Sequence, residues 1–346
     1  MEAGQAGETI VTPTVSILVP CYNESATIEE LLRAIWDQDY PRGEMEVVIA
    51  DGMSIDSTRA LVASFAGGHP SMALRLIDNP EQSIPSALNR AIAASTGSYC
   101  LRLDAHSVPA SDYVSRCLVA LKTTGAANVG GQWRIEPGAG TWIARSIAAA
   151  AADPLGAGDA RYRTGGSAGP VDTVPFGAYP REWLERVGGY DESLATNEDY
   201  ELNWRLRQAG GIIWFDPAIQ CTYFARPRLR DLARQYLRYG YWKAQMARRH
   251  PGSLRWRQVL PPLFVLGLLG LGVFGMVLPS SWTLLLVLVG MYLLVLLARG
   301  IVMAARRRQS GMILGIPVAL AVFHLCWGAA FLAGVIVGPR RRTLES

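Results

Sequence analysis

The sequence of 346 residues is half apolar, and its 33 lysines and arginines exceed its 29 acidic residues to give a formal net charge of +4. A chain of this length can bury a large core and has room for one sizeable domain plus a second part. The excess arginine lies near the apolar C-terminal segments rather than on an interleaved basic and aromatic surface, which argues against nucleic-acid binding and favours an anionic membrane surface.

A polar, glycine-rich segment at 1–13 opens the chain and lacks the pattern of a secretory signal peptide. We expect this segment to be flexible and the domain behind it to remain in the cytoplasm. The cysteines are odd in number and lack metal-type spacing, so we expect reduced thiols in the core or the membrane. They are Cys21, Cys100, Cys117, Cys221 and Cys326.

Apolar, β-branched runs alternate with helical patterns through the N-terminal third of the chain. The predicted elements are a strand at 14–20, a helix at 26–36 capped by Ser25, a strand at 45–50, a helix from 56 to about 65, a strand at 73–77, a helix at 84–94 and a strand at 99–103. Short connections between such elements favour right-handed βαβ crossovers, which predicts an α/β fold with a mostly parallel sheet.

The strand at 99–103 ends in Asp104-Ala105-His106, and a helix is predicted to open at 108–112. Ligands of open α/β sheets bind at this end of the strands. Asp104 and His106 point to the same side if the chain stays extended, so both could hold one divalent cation. The alternative is a turn-forming aspartate beside a solvated histidine.

The pattern is less regular after residue 110. Strands are predicted at 127–133, 171–176 and 212–215, and helices at 139–152, 181–187 and about 197–208. The glycine-rich stretch 153–169 is long for a simple connection, which indicates a functional loop or lid.

The C-terminal part indicates a membrane protein. The segment 229–249 is amphipathic, basic and aromatic, which favours a helix in the headgroup layer over a soluble surface helix. Apolar segments at 259–278, 282–298 and 312–338 are each long enough to suggest a membrane span. Flanking arginines predict that the first two segments form a hairpin with both open ends in the cytoplasm. We favour a single span for the third segment, although this would place Arg340-Arg341-Arg342 outside; a re-entrant segment kinked at Pro317 is the alternative.

Four motifs occur in a fixed order along the chain. They are Pro20-Cys21-Tyr22-Asn23-Glu24, Asp51-Gly52-Met53-Ser54, Asp104-Ala105-His106 and Asn197-Glu198-Asp199. Over residues 15–242 the chain resembles the family 2 inverting glycosyltransferases with the Rossmann-like GT-A fold. Within that family it is most similar to the membrane-attached glucosyltransferases of succinoglycan-type exopolysaccharide assembly, in which Asp-x-His replaces Asp-x-Asp.

The residue patterns and the resemblance together predict five parts of the chain. They are a flexible N-terminus at 1–13, a GT-A domain at 14–227, amphipathic interfacial helices at 228–258, about three transmembrane helices at 259–338 and a basic tail at 339–346.

The resemblance also implies a nucleotide-sugar site. Pro20, Tyr22 and Glu24 would border the nucleoside, and Asp51 would accept a hydrogen bond from the imide of uracil. Asn89 and Arg90 would reach the nucleotide, and Asp104 with His106 would bind Mn²⁺ or Mg²⁺ against the diphosphate. Ordinary turn chemistry at Asp51-Gly52 and a polar helix face at 89–90 are the alternatives.

Catalytic roles follow from the resemblance as well. Asp199 would be the base that deprotonates the acceptor hydroxyl, with Glu198 positioning it. The alternative is a pair of acids stabilised by a helix N-terminus. Gln235, Arg238 and Tyr239 resemble a Gln-x-x-Arg-Trp motif, in which the arginine meets the donor diphosphate and the other two shape the acceptor site. A tyrosine in place of the tryptophan argues against a processive polymer synthase.

The sequence therefore predicts an inverting, metal-dependent hexosyltransferase in the cell (inner) membrane, with its catalytic domain in the cytoplasm. It would move glucose from UDP-glucose to a saccharide on a polyprenyl diphosphate, with membrane lipids as its surroundings. The alternatives are transfer directly to polyprenyl phosphate, a nucleotidyltransferase on a similar sheet, and a non-catalytic membrane scaffold.

Overall fold

The computed structural model describes residues 14–338, which form two compact units. The sheet unit comprises 14–131, 168–192 and 205–221, and the helical unit comprises 132–167, 193–204 and 222–338. Each unit is built from three separate segments of the chain, whereas the sequence predicts consecutive parts. The predicted N-terminal segment 1–13 and the basic tail with Arg340-Arg341-Arg342 lie outside the described residues.

Nine strands and thirteen α-helices make up the described chain. The strands are β1 (Val15–Cys21), β2 (Met45–Asp51), β3 (Ala73–Asp78), β4 (Tyr99–Arg102), β5 (Ser107–Pro109), β6 (Asn128–Pro137), β7 (Gly169–Pro170), β8 (Ala178–Pro180) and β9 (Ile213–Ala225). The helices are α1 (Ile28–Trp36), α2 (Thr58–Gly68), α3 (Ile84–Ala94), α4 (Tyr113–Thr124), α5 (Trp142–Ala151), α6 (Pro154–Ala157), α7 (Arg161–Thr164), α8 (Arg181–Val187), α9 (Glu198–Gln208), α10 (Leu229–Arg249), α11 (Trp256–Phe274), α12 (Ser280–Arg307) and α13 (Met312–Ile336).

The strands of the described residues form one mixed sheet in the order β3-β2-β1-β4-β8-β6-β9-β5, with β7 beside β9. The first four strands are parallel, as the βαβ pattern predicts. Beyond β4 the sheet is not parallel, because β8 pairs antiparallel with both β4 and β6. The prediction of parallel pairing therefore holds for β1 to β4, and the remainder of the sheet is mixed.

Several predicted boundaries are wrong. The first helix begins at Ile28 rather than 26, because the Glu24 carbonyl accepts from the amides of both Thr27 and Ile28 and closes a turn there. Ser25 therefore does not cap it. Residues 107–109 form β5 rather than opening a helix, and Ala110 then donates to the carbonyl of Gln220, which follows much later in the chain.

Other elements also differ from the prediction. No strand forms at 171–176, where the chain bends. The last strand runs from 213 to 225 rather than stopping at 215, and the stretch 153–169 contains the short helices α6 and α7. The helices at 84–94, 181–187 and 229–249 match their predicted bounds.

The helical unit contains three helices long and apolar enough to cross a membrane, α11, α12 and α13. In the most apolar windows of α11 and α12 only 17% and 11% of residues are buried, so most of their apolar side chains face outward. The third helix continues through Pro317 to Ile336, and its 25 residues extend about 37 Å. This length is consistent with a single crossing.

The amphipathic helix α10 packs closely against α13. A side chain at Gly240 would meet the Trp327 carbonyl oxygen, and one at Gly334 would meet Ala244 and the backbone of Tyr241. Small residues on both helices thus allow their backbones to approach.

All five cysteines are free thiols, and all except Cys326 are buried. Burial raises the pKa of the Cys100 thiol to about 11, so this thiol stays protonated at neutral pH. The expectation of free thiols in the core or in the apolar C-terminal segments is confirmed for the described residues, since Cys326 lies in α13.

The two central strands, β1 and β2, are buried at every position, as expected for strands covered on both faces. Glu46 is a charged residue within β2, and only 4% of it is exposed. Its carboxylate accepts from the Ser16 hydroxyl at 2.8 Å and the Thr96 amide at 2.6 Å, and it pairs with Arg75. Burial alone raises the pKa of Glu46, but these hydrogen bonds outweigh it and hold the pKa below its ordinary value.

We expect Glu46→Gln to lower the apparent melting temperature by roughly 3–10 °C near neutral pH, because a buried charged acceptor of several hydrogen bonds is lost. A carboxyl whose folded-state pKa is depressed stabilises the protein above its ordinary pKa and loses that contribution as the pH falls through the folded-state value. The difference between parent and variant should therefore shrink on acidification. Thermal unfolding across pH tests this, with the exposed Glu30→Gln as the control; a constant difference would contradict it.

Candidate active site

The carboxyl ends of β1 and β2 lie side by side, with Cys21 paired to Asp51. The loops that follow them are joined by side chain to backbone hydrogen bonds. The Asn23 amide donates to Ser54 Oγ at 2.8 Å, and Asn23 Oδ1 accepts from the Ile55 amide at 2.9 Å. Asn23 itself has a left-handed backbone with φ +53°, a conformation that asparagine tolerates better than most residues.

Asp51, the predicted uracil acceptor, is completely buried at the end of β2. Its carboxylate accepts from the Ser54 hydroxyl at 2.5 Å and the Ser54 amide at 2.9 Å, and it forms an ion pair with Arg59 at 2.7 Å. Arg59 also pairs with Asp78 at the end of β3. The arginine thus fixes both carboxylates at the same sheet edge.

Apolar side chains are exposed beside Asp51. Tyr22 is 46% exposed and Ile55 is 88% exposed. The Tyr22 ring lies against Gly52, where an added Cβ would be only 3.1 Å from it. Exposed apolar groups around a buried carboxylate suit a planar ligand with a hydrogen-bond donor at its edge. Pro20, by contrast, is buried within β1.

Asp104 and His106 occupy a turn rather than an extended segment. The Asp104 carbonyl accepts from the Ser107 amide at 2.9 Å, so the extended geometry assumed from the sequence is wrong. The Asp104 carboxylate accepts from Arg102 Nε at 2.9 Å and keeps 21% of its side chain exposed.

His106 is held by Glu24, which belongs to the first loop. Nδ1 of the imidazole lies 3.0 Å from Glu24 Oε1, and the Thr27 hydroxyl donates to the other carboxylate oxygen at 2.6 Å. Burial raises the pKa of Glu24, but the hydrogen bonds from His106 and Thr27 outweigh it, so the pKa lies below its ordinary value. The ionised carboxylate thereby orients the imidazole.

The donor set at this turn fits a divalent cation shared with a ligand. One carboxylate and one imidazole, both partly exposed, suit Mn²⁺ or Mg²⁺, and a carboxylate behind the histidine is the usual support of a metal-binding imidazole. Within residues 14–338 no three His, Cys, Asp or Glu side chains form a complete protein cage. An ion at Asp104 and His106 would therefore need further oxygen ligands, such as those of a diphosphate.

Asn89 and Arg90 have partners within the protein. Asn89 donates to the Tyr190 carbonyl at 2.9 Å and to Glu192 at 2.8 Å, and its own oxygen accepts from the Tyr190 amide. Arg90 forms a two-point ion pair with Glu81. These contacts favour a structural role for Asn89, which fastens the turn after α8 to α3.

In the helical unit, Glu198 and Asp199 begin α9, as predicted. Asn197 precedes them with a left-handed backbone at φ +67°, and its side chain donates to the Tyr239 carbonyl at 3.3 Å. Glu198 is buried, whereas Asp199 is partly exposed and its Oδ1 accepts from the Tyr200 amide at 2.7 Å. Asp199 is therefore the more accessible of the two acids.

The first turns of α9 are anchored on α10 and the residue that follows it. The buried Lys243 ammonium lies 3.6 Å from the centre of the Tyr200 ring, a cation–π contact. His250 lies 3.3 Å from the buried Glu201 carboxylate, and its ring lies 4.1 Å from that of Trp204 with the planes tilted by 32°. These contacts fix the segment that carries Asp199.

The predicted motif at 235–239 divides into buried and exposed parts. Gln235 is buried and donates to the hydroxyls of Tyr223 at 3.2 Å and Tyr239 at 2.9 Å. Arg238 is exposed and forms no hydrogen bond or ion pair within the described part of the chain. An exposed arginine of this kind can meet an anionic ligand.

Sequence reasoning missed Arg59, Arg102, Lys243 and His250. Arg59 and Arg102 lie close to the motif acids Asp51 and Asp104 in the sequence, so their charge was a usable signal. Lys243 and His250 contact residues more than 40 positions earlier in the chain, for which the sequence offers no local signal.

Comparisons with known proteins identify the family of the chain. The model of the family described as Glycosyl transferase family 2 matches residues 16–188. The succinoglycan biosynthesis protein ExoA of Rhizobium meliloti is 33% identical over 96% of this chain and 98% of its own length. A dolichyl N-acetyl-α-D-glucosaminyl phosphate 3-β-D-2,3-diacetamido-2,3-dideoxy-β-D-glucuronosyltransferase of Methanococcus voltae is 25% identical over 94% of this chain and 98% of its own length.

Among solved structures, the mannosyltransferase PcManGT of Pyrobaculum calidifontis, in complex with GDP-Man and Mn²⁺, aligns with a TM-score of 0.58 at 23% identity, covering 90% of this chain and 87% of its own. Its similarity supports the fold. The family match and the R. meliloti relative, which extends over nearly the whole chain, establish that this protein is a member of glycosyl transferase family 2 with a GT-A fold.

Proposed function

We propose that this glycosyltransferase moves glucose from UDP-glucose, with inversion, onto a saccharide carried on a polyprenyl diphosphate. One observation carries the proposal: a single chain joins a strand-end site around Asp51 and Asp104 to three helices long and apolar enough to cross a membrane. The R. meliloti relative is named for succinoglycan biosynthesis and the M. voltae relative for transfer to a dolichyl-phosphate-linked sugar. The second name supports a lipid-linked acceptor, and the first supports a role in polysaccharide assembly.

The donor would bind at the carboxyl ends of β1 and β2. The exposed Tyr22 ring offers a flat surface for uracil, and Asp51, held by Ser54 and Arg59, offers a carboxylate oxygen for the imide N–H. Arg238 would meet the diphosphate, because a guanidinium matches phosphate oxygens with paired hydrogen bonds.

Asp104 and His106 would hold the metal ion, with Glu24 fixing the imidazole. A bound Mn²⁺ or Mg²⁺ supplies charge neutralisation for the departing diphosphate.

Inversion requires a base opposite the leaving group. In this proposal Asp199 accepts the proton of the acceptor hydroxyl as that oxygen bonds to the anomeric carbon. The bond from the anomeric carbon to the diphosphate oxygen breaks with its electron pair, which releases UDP. Glu198 and the contacts of α9 with Lys243 and His250 would hold Asp199 in place.

The acceptor lipid explains the location that we propose. The helices α11–α13 would span the cell membrane, and α10 would lie near the headgroups with the GT-A domain in the cytoplasm. A lipid-linked saccharide would then reach the site without leaving the bilayer surface.

Asp199→Asn should lower the rate of transfer by roughly 10²–10⁴-fold, because the carboxylate that accepts the proton is lost. The affinity for UDP-glucose should stay nearly unchanged. The measurement is UDP release and product formation by the full chain in detergent, with UDP- and GDP-sugars as donors and membrane lipid extract as acceptor.

Asp231→Asn is a matched control, since Asp231 lies in the first turn of α10 and makes only loose ion pairs at 3.6 Å and 4.0 Å. Activity of Asp199→Asn equal to the parent would refute the assignment of the base. Release of pyrophosphate instead of UDP would indicate a nucleotidyltransferase, and product from bare polyprenyl phosphate would indicate direct transfer to the lipid.

Glu24→Gln should weaken Mn²⁺ binding in the presence of UDP by about 10–100-fold, because the histidine ligand loses the charge that orients it. Electron paramagnetic resonance of free Mn²⁺ measures this without relying on turnover. Glu30→Gln, at an exposed position of α1, is the control. Equal Mn²⁺ affinity in Glu24→Gln and the parent would argue against a metal at His106.

A further inference from the structure

A partly buried arginine in the helical unit has no acidic partner within the described residues. Arg163 lies in α7, with its guanidinium carbon 5.5 Å from the centre of the Trp133 ring and 5.4 Å from that of Tyr162. Its Nη1 donates to the Tyr236 hydroxyl at 3.0 Å, whereas its Nε is buried without a hydrogen-bond partner. Within residues 14–338 no carboxylate forms an ion pair with it.

The aromatic residues around Arg163 hold one another in place. Trp133 and Tyr223 stack at 4.2 Å with their planes 9° apart, and Tyr162 meets Trp133 edge-on at 5.0 Å. Gln235 donates to the Tyr223 hydroxyl, and Tyr236 stacks on Phe323 of α13 at 4.2 Å. We refer to Arg163 with Trp133, Tyr162, Tyr223 and Tyr236 as the Arg163 site.

Other arginines of the same unit do have acidic partners. Arg299 pairs with the buried Asp153, and Arg257 pairs with Asp159. A guanidinium with a nitrogen withdrawn from water, as Nε of Arg163 is, usually has an acidic partner, because taking a cation out of water is costly. Aromatic faces and a phenol hydroxyl offset only part of that cost. The Arg163 site therefore has the chemistry of a receptor for an anion that comes from outside the protein.

The segment leading to Arg163 is fixed to the apolar helices. The Leu155 carbonyl lies 2.8 Å from His324 Nε2 of α13, and a Cβ at Gly156 would clash with Phe323. Arg299 of α12 holds Asp153. The segment that carries the Arg163 site is thus attached to the helices that we propose to cross the membrane. A membrane-bound amphiphile could present its charged end to such a site.

We infer that the Arg163 site binds the phosphoryl group of the polyprenyl-linked acceptor. This inference rests on the proposed function, since it names the residue that recognises the acceptor lipid. Nε has no hydrogen-bond partner, and the one hydrogen bond that the guanidinium makes in the described chain uses Nη1, so Nε and Nη2 remain able to meet phosphate oxygens together. The aromatic rings exclude water around the ion pair and strengthen it.

Equilibrium binding of farnesyl phosphate and of its uncharged analogue farnesol to the full chain in lipid nanodiscs tests the inference. The parent should bind the phosphate more tightly than the alcohol. Arg163→Gln should weaken phosphate binding by at least about tenfold, the effect of losing a hydrogen-bonded charge pair, and should leave farnesol binding unchanged. Arg161→Gln is the matched control, because Arg161 lies on the same short helix and its one side-chain hydrogen bond within the described residues goes to the Ser167 carbonyl.

Arg163→Lys provides a second variant if Arg163→Gln unfolds. It keeps the charge but loses the paired nitrogens, so its affinity for farnesyl phosphate should fall by at least about threefold. Unchanged affinity in a folded Arg163→Gln or Arg163→Lys would overturn the inference. So would a loss of affinity for UDP or inorganic pyrophosphate with farnesyl phosphate binding intact, because the site would then serve the donor.

Binding is measured without turnover, so this test does not depend on the proposed reaction. Absence of transfer activity in the parent would count against the proposed function alone. Intact transfer by the parent, together with equal farnesyl phosphate affinity in the parent and the Arg163 variants, would count against this inference alone.

Discussion

In a parallel sheet, neighbouring strands end at one edge, and the backbone groups of the loops that follow need partners that the ladder no longer supplies. This constraint shapes the candidate donor site. Asn23 and Ser54 satisfy loop amides, and Asp51 accepts from Ser54 and Arg59. The polar side chains that complete the loops are thus the ones that give the edge its shape and its charge. Tyr22 and Ile55 remain exposed there, which is costly unless a ligand covers them.

Buried charge plays a comparable part in the helical unit. Arg299 with Asp153 and Arg257 with Asp159 fasten the stretch 153–159 to α11 and α12. The sequence predicts a functional loop or lid at 153–169. The first half of this segment is anchored, and its second half carries Arg163 among aromatic rings. Lys243 and Gln235 lie about two turns apart on α10. Lys243 holds the Asp199 segment, and Gln235 holds the aromatic residues. One amphipathic helix thereby supports both the proposed base and the proposed lipid site.

Local patterns predicted the helices at 84–94 and 229–249 and the parallel strands β1 to β4, because their apolar periodicity and breakers are close in sequence. Long-range pairing was not accessible. β5 forms because residue 110 meets Gln220, and β8 is too short for a periodicity to show. The motif acids were located at strand and helix ends, but the turn at Asp104 depends on one backbone bond to Ser107. Arg163 was missed because its partners Trp133 and Tyr236 lie 30 and 73 positions away.

The anomeric configuration of the product distinguishes a single inverting displacement from retention. The full chain would be incubated with UDP-α-glucose, a divalent metal and lipid-linked acceptor, and the new linkage would be examined by NMR before any rearrangement. We expect a β-linked glucose and one equivalent of UDP, since a single displacement at the anomeric carbon inverts its configuration. An α-linked product would contradict this mechanism, because a single displacement with Asp199 as the base cannot retain the anomeric configuration.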